Sequence, residues 1–358
     1  MATTSQPEDT GSGLSPRIWR PLSDKLAILM TLIAVGWAFS FNRYLGLGLY
    51  PEQYFAAMLA LVLPLSYLTL PATKGALRVR VPYHDLILAI AAFAAYAYVA
   101  VNYPTLVLMI FAKPVAIWLP GLVIILTTLE ALRRATGWAL IIIIAVFILY
   151  ALFGDIVPGR LQGRPQDWQM LTGYMAVDAN GILGLPMAVA STVVVAFILF
   201  GVLLNITGGS AFFTDAAMIG MGRYRGGSMK IAVLASGLFG SISGSAVANV
   251  VGTGVVTIPM IKRDGYPAHK AAAIEAVAST GGQLMPPVMG ASAFLMAEFL
   301  AVPYGSIVLA ALVPALLYYV ALFIQADLEA AKLGIKAIPK EDIPDGRLVA
   351  LGAHFALA

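Results

Sequence analysis

The chain has 358 residues, 60% of them hydrophobic and 11% charged, with a formal net charge of +4 and no cysteine. Soluble domains carry about 25% charged residues, so this composition excludes a soluble globular protein and marks a polytopic membrane protein. It also excludes disulfides, thiolate metal sites and a cysteine nucleophile, and the basic excess reads as loop topology rather than nucleic-acid binding.

Residues 1–24 are polar and rich in Ser, Thr, Pro and Gly, the pattern of a disordered tail, and lack the apolar core and cleavage site of a signal peptide. A spanning helix needs about 20 mostly apolar residues. The segments that meet this are Leu26–Phe41, Gln53–Leu70, Leu86–Val101, Pro114–Leu132, Trp138–Phe153, Leu185–Ile206 and Val302–Gln325. Tyr103–Lys113 is expected to lie in the interface or to extend the fourth helix. Gly154–Gly184, with Asp155, Arg160, Arg164, Asp167, Trp168 and Asp178, is too polar to sit in lipid and forms the longest outer loop. Ala211–Met221 reads as an interfacial helix.

Basic residues test this layout. With a cytoplasmic N-terminus, 18 of the 22 Lys and Arg fall on inner segments, and four, Arg43, Lys113, Arg160 and Arg164, on outer ones. That is a strong positive-inside bias. It holds only if Ser228–Ile261, basic on both flanks, enters and leaves on one side.

Ser228–Ile261 is too long for one ordinary span and divides into Met229–Phe239 and Val250–Ile261, each near half a membrane thickness at about 1.5 Å per residue. The Ser/Gly cluster 240–245 is the turn between them, so the segment reads as a re-entrant helical hairpin. Ala271–Leu300 carries Gly281-Gly282 and Pro286-Pro287 in its middle. Proline lacks the amide hydrogen and clashes with the preceding turn, so this segment reads as a discontinuous helix. The fold class is all-α.

Two polar breaks in apolar sequence concentrate the chemistry. Unwound backbone at membrane depth is tolerated only where protein buries it or it lines a cavity. Ser241, Ser243, Ser245, Asn249 and Thr253 supply neutral side-chain oxygens at the first break; Thr280, Gln283 and the carbonyls of Gly281–Met285 supply them at the second. Neutral oxygens suit a hard monovalent cation, whereas Ca²⁺ usually demands several carboxylates. Sodium is favoured over a proton on this chemistry. The competing reading is that small residues only let helices pack closely.

Glu275 is an intramembrane carboxylate, a functional candidate by default, but its sequence position favours a pairing with Lys270 or His269 near the cytoplasmic face. Glu298 reads as an interfacial charge and Lys113 as a snorkelling one. His84, His269 and His354 show no catalytic or metal spacing. Trp19, Trp37, Trp118, Trp138 and Trp168 mostly fall near span ends, where an aromatic belt is expected.

The run Gly240-Ser-Ile-Ser-Gly-Ser-Ala-Val-Ala-Asn-Val250, with Gly252-Thr-Gly254 and Ile258-Pro-Met-Ile-Lys262, resembles the first re-entrant hairpin of TRAP transporter permeases. Ala278-Ser-Thr-Gly-Gly-Gln-Leu-Met-Pro-Pro-Val-Met-Gly290 resembles the broken helix that follows it. Leu129-Glu-Ala-Leu-Arg-Arg134, Gly137-Trp138 and Gly265-Tyr-Pro267 resemble the fused permease of the TAXI-type subgroup. The resemblance covers nearly all of residues 25–340.

It implies an elevator-type permease of the bacterial inner membrane, multi-pass with a cytoplasmic N-terminus. Sodium would be the coupling ion, and no other cofactor is implied. The permease would import an organic acid delivered by a TAXI-type periplasmic substrate-binding protein. By match to the motif, the sodium-site residues are Ser241, Ser243, Gly244, Ser245, Asn249, Gly281, Gly282 and Met285, with Gln283, Pro286 and Pro287 beside the substrate.

The implied organisation is a cytoplasmic tail (1–24), small-subunit-like scaffold helices (25–134), and the first half of the large-subunit transport region (135–340), with hairpin 228–261 and broken helix 271–300. Residues 341–358 read as the start of a further segment. Only the first of two inverted repeats is expected in this sequence. Alternatives are an elevator-type anion carrier without a binding protein and a non-transporting structural subunit. A membrane-embedded hydrolase is disfavoured because no catalytic side-chain set lies at membrane depth, so the chain is not read as an enzyme.

Overall fold

The computed structural model describes residues 13–73, 78, 80–339, 341, 343, 344 and 346. Among these the regular structure is helical, apart from an isolated bridge between Leu14 and Val81. Six helical stretches are long and apolar enough to cross a membrane: Pro16–Ala38, Tyr83–Ala112, Val115–Thr136, Trp138–Ile156, Leu185–Ile206 and Tyr304–Leu333. The protein is an all-α polytopic membrane protein. The chain divides into two compact units, Met1–Thr192 and Val193–Ala358.

The first unit opens with α1 (Pro16–Ala38) and a single turn, α2 (Phe41–Tyr44). Residues 16–24, expected in the polar tail, are the first turns of α1. Pro16 stands at its first helical position, where a missing amide hydrogen costs nothing and the ring presets φ. Residues 1–12 lie outside the described residues. α3 (Pro51–Thr69) carries buried residues along its length, Tyr54, Met58, Leu61 and Tyr67 among them. It is not among the six membrane-length stretches; Glu52, Gln53 and Pro64 dilute its apolar character.

α4 (Tyr83–Met109) runs on through Pro104 into a 3-10 turn at Ile110–Ala112. Tyr103–Lys113 thus lengthens the helix before it, not the one after; the left-handed backbone at Lys113, φ 52°, ends it. α5 (Val115–Thr136) stops at Gly137, φ 95°, a conformation glycine reaches without strain. α6 (Trp138–Phe153) is apolar all round and has no buried residue, as suits a lipid-facing helix.

α7 (Trp168–Val177) lies inside the polar outer segment and is capped by Asp167, whose carboxylate accepts the amides of Gln169 and Met170. Lys113, expected to snorkel, stands 3.3 Å from Asp167. Trp37 stacks on Tyr54, and Trp118 meets Trp168 edge to face. Near Arg134 the unit is clamped by charge. Arg134 lies 2.7 Å from the buried Asp85 and 2.8 Å from Glu130, and Arg78 also reaches Asp85. α8 (Leu185–Val189) passes into a π-helical turn, Ala190–Val194. Such turns leave a carbonyl out of the ordinary α pattern, and here Ser191 O accepts the hydroxyl of Tyr54 at 2.7 Å.

The second unit continues with α9 (Val195–Ile206) and α10 (Gly209–Met221), then α11 (Gly227–Ser243), α12 (Ala246–Arg263) and α13 (Ala268–Gly281), and closes with α14 (Ala291–Phe299) and α15 (Tyr304–Leu333). α10, α11, α12 and α13 pack together, with α15 on α11 and α13. The packed faces are built from small residues: Ala232, Ala235, Ala271, Ala278, Ala326 and Ala330 are fully or almost fully buried. Lipid removes the hydrophobic drive for helices to associate, so close van der Waals approach has to supply it. Tyr319, Leu322, Ile261 and Ile274 fill the space between.

The hairpin's helices are longer than expected. α11 runs through Gly240–Ser243, and only Gly244 and Ser245 turn the chain. Gly244 has φ +63° and closes α11 by donating its amide to Gly240 O at 3.0 Å. Ser245 caps α12 through Ala248 N. The break between α13 and α14 spans residues 282–290. Ser279 and Thr280, expected within it, are helical.

Candidate functional site

The hairpin tip and the helix break meet. A Cβ built on Gly240 would lie 2.7 Å from Gly282 Cα, and one on Gly282 would lie 2.6 Å from Gly240 Cα. Real side chains do not occupy such spacings, so α11 and the end of α13 touch backbone to backbone. Val288 N donates to Ser241 O at 3.0 Å, and Gly290 N donates to Gln283 O at 2.8 Å. A Cβ on Gly244 would strike Met289 O at 2.5 Å. Tyr304, at the start of α15, donates its hydroxyl to the carbonyls of Pro287 and Val288. The irregular backbone thus has its partners inside the protein, as a low-dielectric surround demands.

The motif residues do not all converge. Ser241, Ser243, Gly244 and Ser245 form the tip, with Gly282 brought against its Gly240 end, whereas Gly281 faces Tyr318 and Tyr319 of α15. Ser241 Oγ donates to Leu238 O and Ser245 Oγ accepts from Ala248 N, so both hydroxyls are locally engaged. Ser243 Oγ is buried and has no hydrogen-bond partner among the described residues. Asn249 lies deeper, facing back into the hairpin: its Nδ2 donates to Ser236 O at 2.7 Å. Met285 packs partly buried against the unit's apolar core. Gln283 and Pro287 are exposed and Pro286 is half-buried.

Glu275 overturns its sequence expectation. Its side chain is fully buried, and it does not pair with Lys270, which bonds to Glu329 of α15. Five residues along a helix place two side chains about 140° apart around the axis, so Lys270 and Glu275 face different ways. Oε1 lies 2.8 Å from Ser236 Oγ of α11, 2.5 Å from Thr253 Oγ1 of α12 and 3.2 Å from Ser279 Oγ of its own helix. Oε2 lies 2.6 Å from Thr257 Oγ1. A Cβ on Gly254 would press to 3.2 Å from Glu275 Cγ, so the glycine admits the side chain. Sequence reading found Thr253 but missed Ser236, Thr257 and Ser279. The signal was present: Asn249, Thr253 and Thr257 recur every four residues, one polar stripe down an otherwise apolar helix.

The arrangement offers hydroxyls and carbonyls around a helix-to-helix junction, with no basic side chain bonded to them among the described residues. Among the described residues no three His, Cys, Asp or Glu side chains converge as a metal cluster. Such a site suits a dehydrated monovalent cation, or a proton, better than a multivalent metal.

Residues 123–357 match the family described as the DctM component of the tripartite ATP-independent periplasmic transporter. The chain belongs to this family. Among curated relatives, a putative TRAP transporter large permease protein of Haemophilus influenzae is 36% identical over 91 residues, covering 25% of this chain and 21% of that protein. A C4-dicarboxylate TRAP transporter large permease protein of Pseudomonas aeruginosa is 33% identical over 144 residues, or 40% and 33% of the two chains. A 2,3-diketo-L-gulonate TRAP transporter large permease protein of Escherichia coli is 33% identical over 91 residues, or 25% and 21%. The matches thus span between about a fifth and a third of these relatives' own length. The hairpin, the break and the Glu275 cluster all lie inside the family match.

Proposed function

We propose that this protein is permease sequence of a TRAP-type tripartite transporter of the inner membrane. It works in sodium-coupled import of an organic acid delivered by a periplasmic binding protein. The observation that carries this reading is the junction of Gly240 with Gly282, which joins a hairpin tip and a helix break into one polar point inside apolar helices. Discontinuous helices that meet this way are how membrane carriers present backbone groups to ions and substrates.

Ser243 supports sodium as the coupling ion, since a buried hydroxyl without a partner normally costs about 1–3 kcal/mol and a cation would use it. Ser243, Asn249 and Gly282 are the residues that would hold the ion, with Gln283, Pro286 and Pro287 nearest the substrate. The basic residues favour a cytoplasmic N-terminus, and the motifs favour a binding protein of the TAXI type.

The test is uptake into proteoliposomes containing the protein, with a cognate binding protein outside and an imposed sodium gradient. Accumulation that collapses when sodium is replaced by potassium supports the reading. Accumulation that is unchanged overturns the sodium assignment, and uptake without any binding protein overturns the tripartite one.

A further inference from the structure

We propose that a groove beside the last turns of α15 binds an anionic phospholipid, its phosphate on Arg225 and Lys230 and one acyl chain along α15. The proposal rests on the membrane fold alone and is independent of coupling ion and substrate.

Three cations gather around the start of α11. Arg225, in the loop after α10, and Lys230 of α11 both pair with Asp327 of α15, Lys230 Nζ at 2.6 Å. Arg223 lies over the ring of Tyr224, 5.1 Å from its centroid, and Lys230 lies 5.9 Å from the same ring. Among the described residues Asp327 is the one carboxylate ion-paired with any of the three, so the cluster keeps two positive charges in excess. Asp327 does not exhaust its partners. Arginine carries five N–H donors and lysine three, and Arg225 and Lys230 each give one to Asp327. The carboxylate and the ring hold the cations in place, and a guanidinium fork matches phosphate in geometry. The excess belongs to this side of α15. Glu329, two residues on and so about 200° around the helix, is neutralised by Lys270.

Next to the cations the surface is apolar. Met221 of α10 and Phe323, Ile324 and Leu328 of α15 line, with Tyr224 and Lys230, a groove of about 440 Å³. From the groove an apolar track continues along α15. Ile324, Val320 and Leu317 follow one another at four- and three-residue spacing, on one helix face, and are 55%, 52% and 65% exposed. α15 is long and apolar enough to cross a membrane. Asp327 stands less than two turns from its end at Leu333, at the level where headgroups lie.

This continuity selects the occupant. A free phosphate would use the cations and leave the track bare. An uncharged apolar chain would cover the track and leave the cations unanswered. A phospholipid meets both. A zwitterionic headgroup brings a further cation to a site already two in excess, so an anionic headgroup is the better match.

The full chain, delipidated in detergent, is titrated with phosphatidylglycerol, phosphatidylcholine or inorganic phosphate and followed by native mass spectrometry and thermal unfolding. Phosphatidylglycerol should bind one to one, several-fold tighter than phosphatidylcholine, and raise the unfolding midpoint; inorganic phosphate should not displace it. Arg225→Gln, which leaves Lys230 with Asp327, should weaken phosphatidylglycerol by about five-fold, the worth of one cation near an anionic headgroup. Ile324→Trp, at an exposed position, fills the groove without altering charge and should weaken it too. Lys332→Gln removes the same charge about 140° around the helix from Asp327 and should change nothing. Equal binding of the two lipids would refute the headgroup assignment, and equal losses for Arg225→Gln and Lys332→Gln would reduce the effect to general attraction. Displacement by inorganic phosphate, with Ile324→Trp silent, would make the site one for a soluble anion. Self-association in place of lipid binding would make the face a contact between copies. If Arg225→Gln fails to fold, unchanged binding by Ile324→Trp is enough to overturn the proposal.

Discussion

Gly240 and Gly282 stand so close that neither has room for a methyl group. Gly282→Ala should therefore force the end of α13 away from α11. Overpacking of a tight core costs about 1–3 kcal/mol, enough to lower the midpoint of thermal unfolding by several degrees. The same change at Gly305, where a Cβ would meet open space, should leave the stability within about 0.5 kcal/mol of wild type. Equal melting of the two variants would contradict the contact.

Thr253→Val keeps the shape and removes one of the donors that serve Glu275. Leaving a buried polar group short of a partner costs about 1–3 kcal/mol. Thr280→Val deletes an outward-facing hydroxyl that bonds to its own helix at Ala276 O, so it should be close to neutral. Chemical denaturation of both variants in one detergent separates the two expectations.

Ser243 and Asn249 should part ways under substitution. Ser243→Ala removes a hydroxyl with no protein partner, so stability should hold or rise slightly while sodium-dependent uptake needs several-fold more sodium. Asn249→Ala also breaks the bond to Ser236 O and should lower stability by about 1 kcal/mol or more. Sodium dependence untouched by Ser243→Ala would remove that hydroxyl from the ion site.

In the first unit, Asp85→Ala leaves Arg134 buried with Glu130, the Leu70 carbonyl and the Tyr67 ring still beside it. Removing one partner of a buried pair costs about 3–5 kcal/mol. The remaining Glu130 contact places the expected loss near the low end. Asp85→Leu combined with Arg134→Met should recover most of it, measured as the unfolding midpoint.

Asp167 gives a pH signature. The amide of Met170, and then the ammonium of Lys113, hold its carboxyl below the usual carboxylate range. A group with a depressed folded value adds stability that is present above the unfolded value of about 3.9 and is lost as pH falls through the folded value. Acidification through that window should loosen the start of α7, read by the fluorescence of Trp168, which packs on Trp118. Asp167→Asn should flatten that response.

The membrane helices were legible because length and apolar content alone define them, and the breaks were legible because Gly and Pro act locally. Boundaries set by tertiary contact were not. Residues 16–24 look like tail until Pro16 is seen to start a helix, and Gly240–Ser243 look like turn although they stay helical against the break. Glu275 failed for a plainer reason. Its neighbours in sequence are Lys270 and His269, but its neighbours in space come from α11 and α12, and no local pattern around position 275 names them. The four-residue polar stripe on α12 was the available clue. In sequence Asn249 and Thr253 read as part of a tip site; with Thr257 they instead form one wall around Glu275.

Tyr304 serves a loop it does not belong to. Because its phenol takes up two carbonyls of the break, the break needs fewer polar residues of its own, and Leu284, Pro287 and Val288 are free to be greasy. Compositional freedom in the loop is thus leased from one aromatic position in the next helix, and a chain that lost this tyrosine would have to become more polar at 284–288 to compensate.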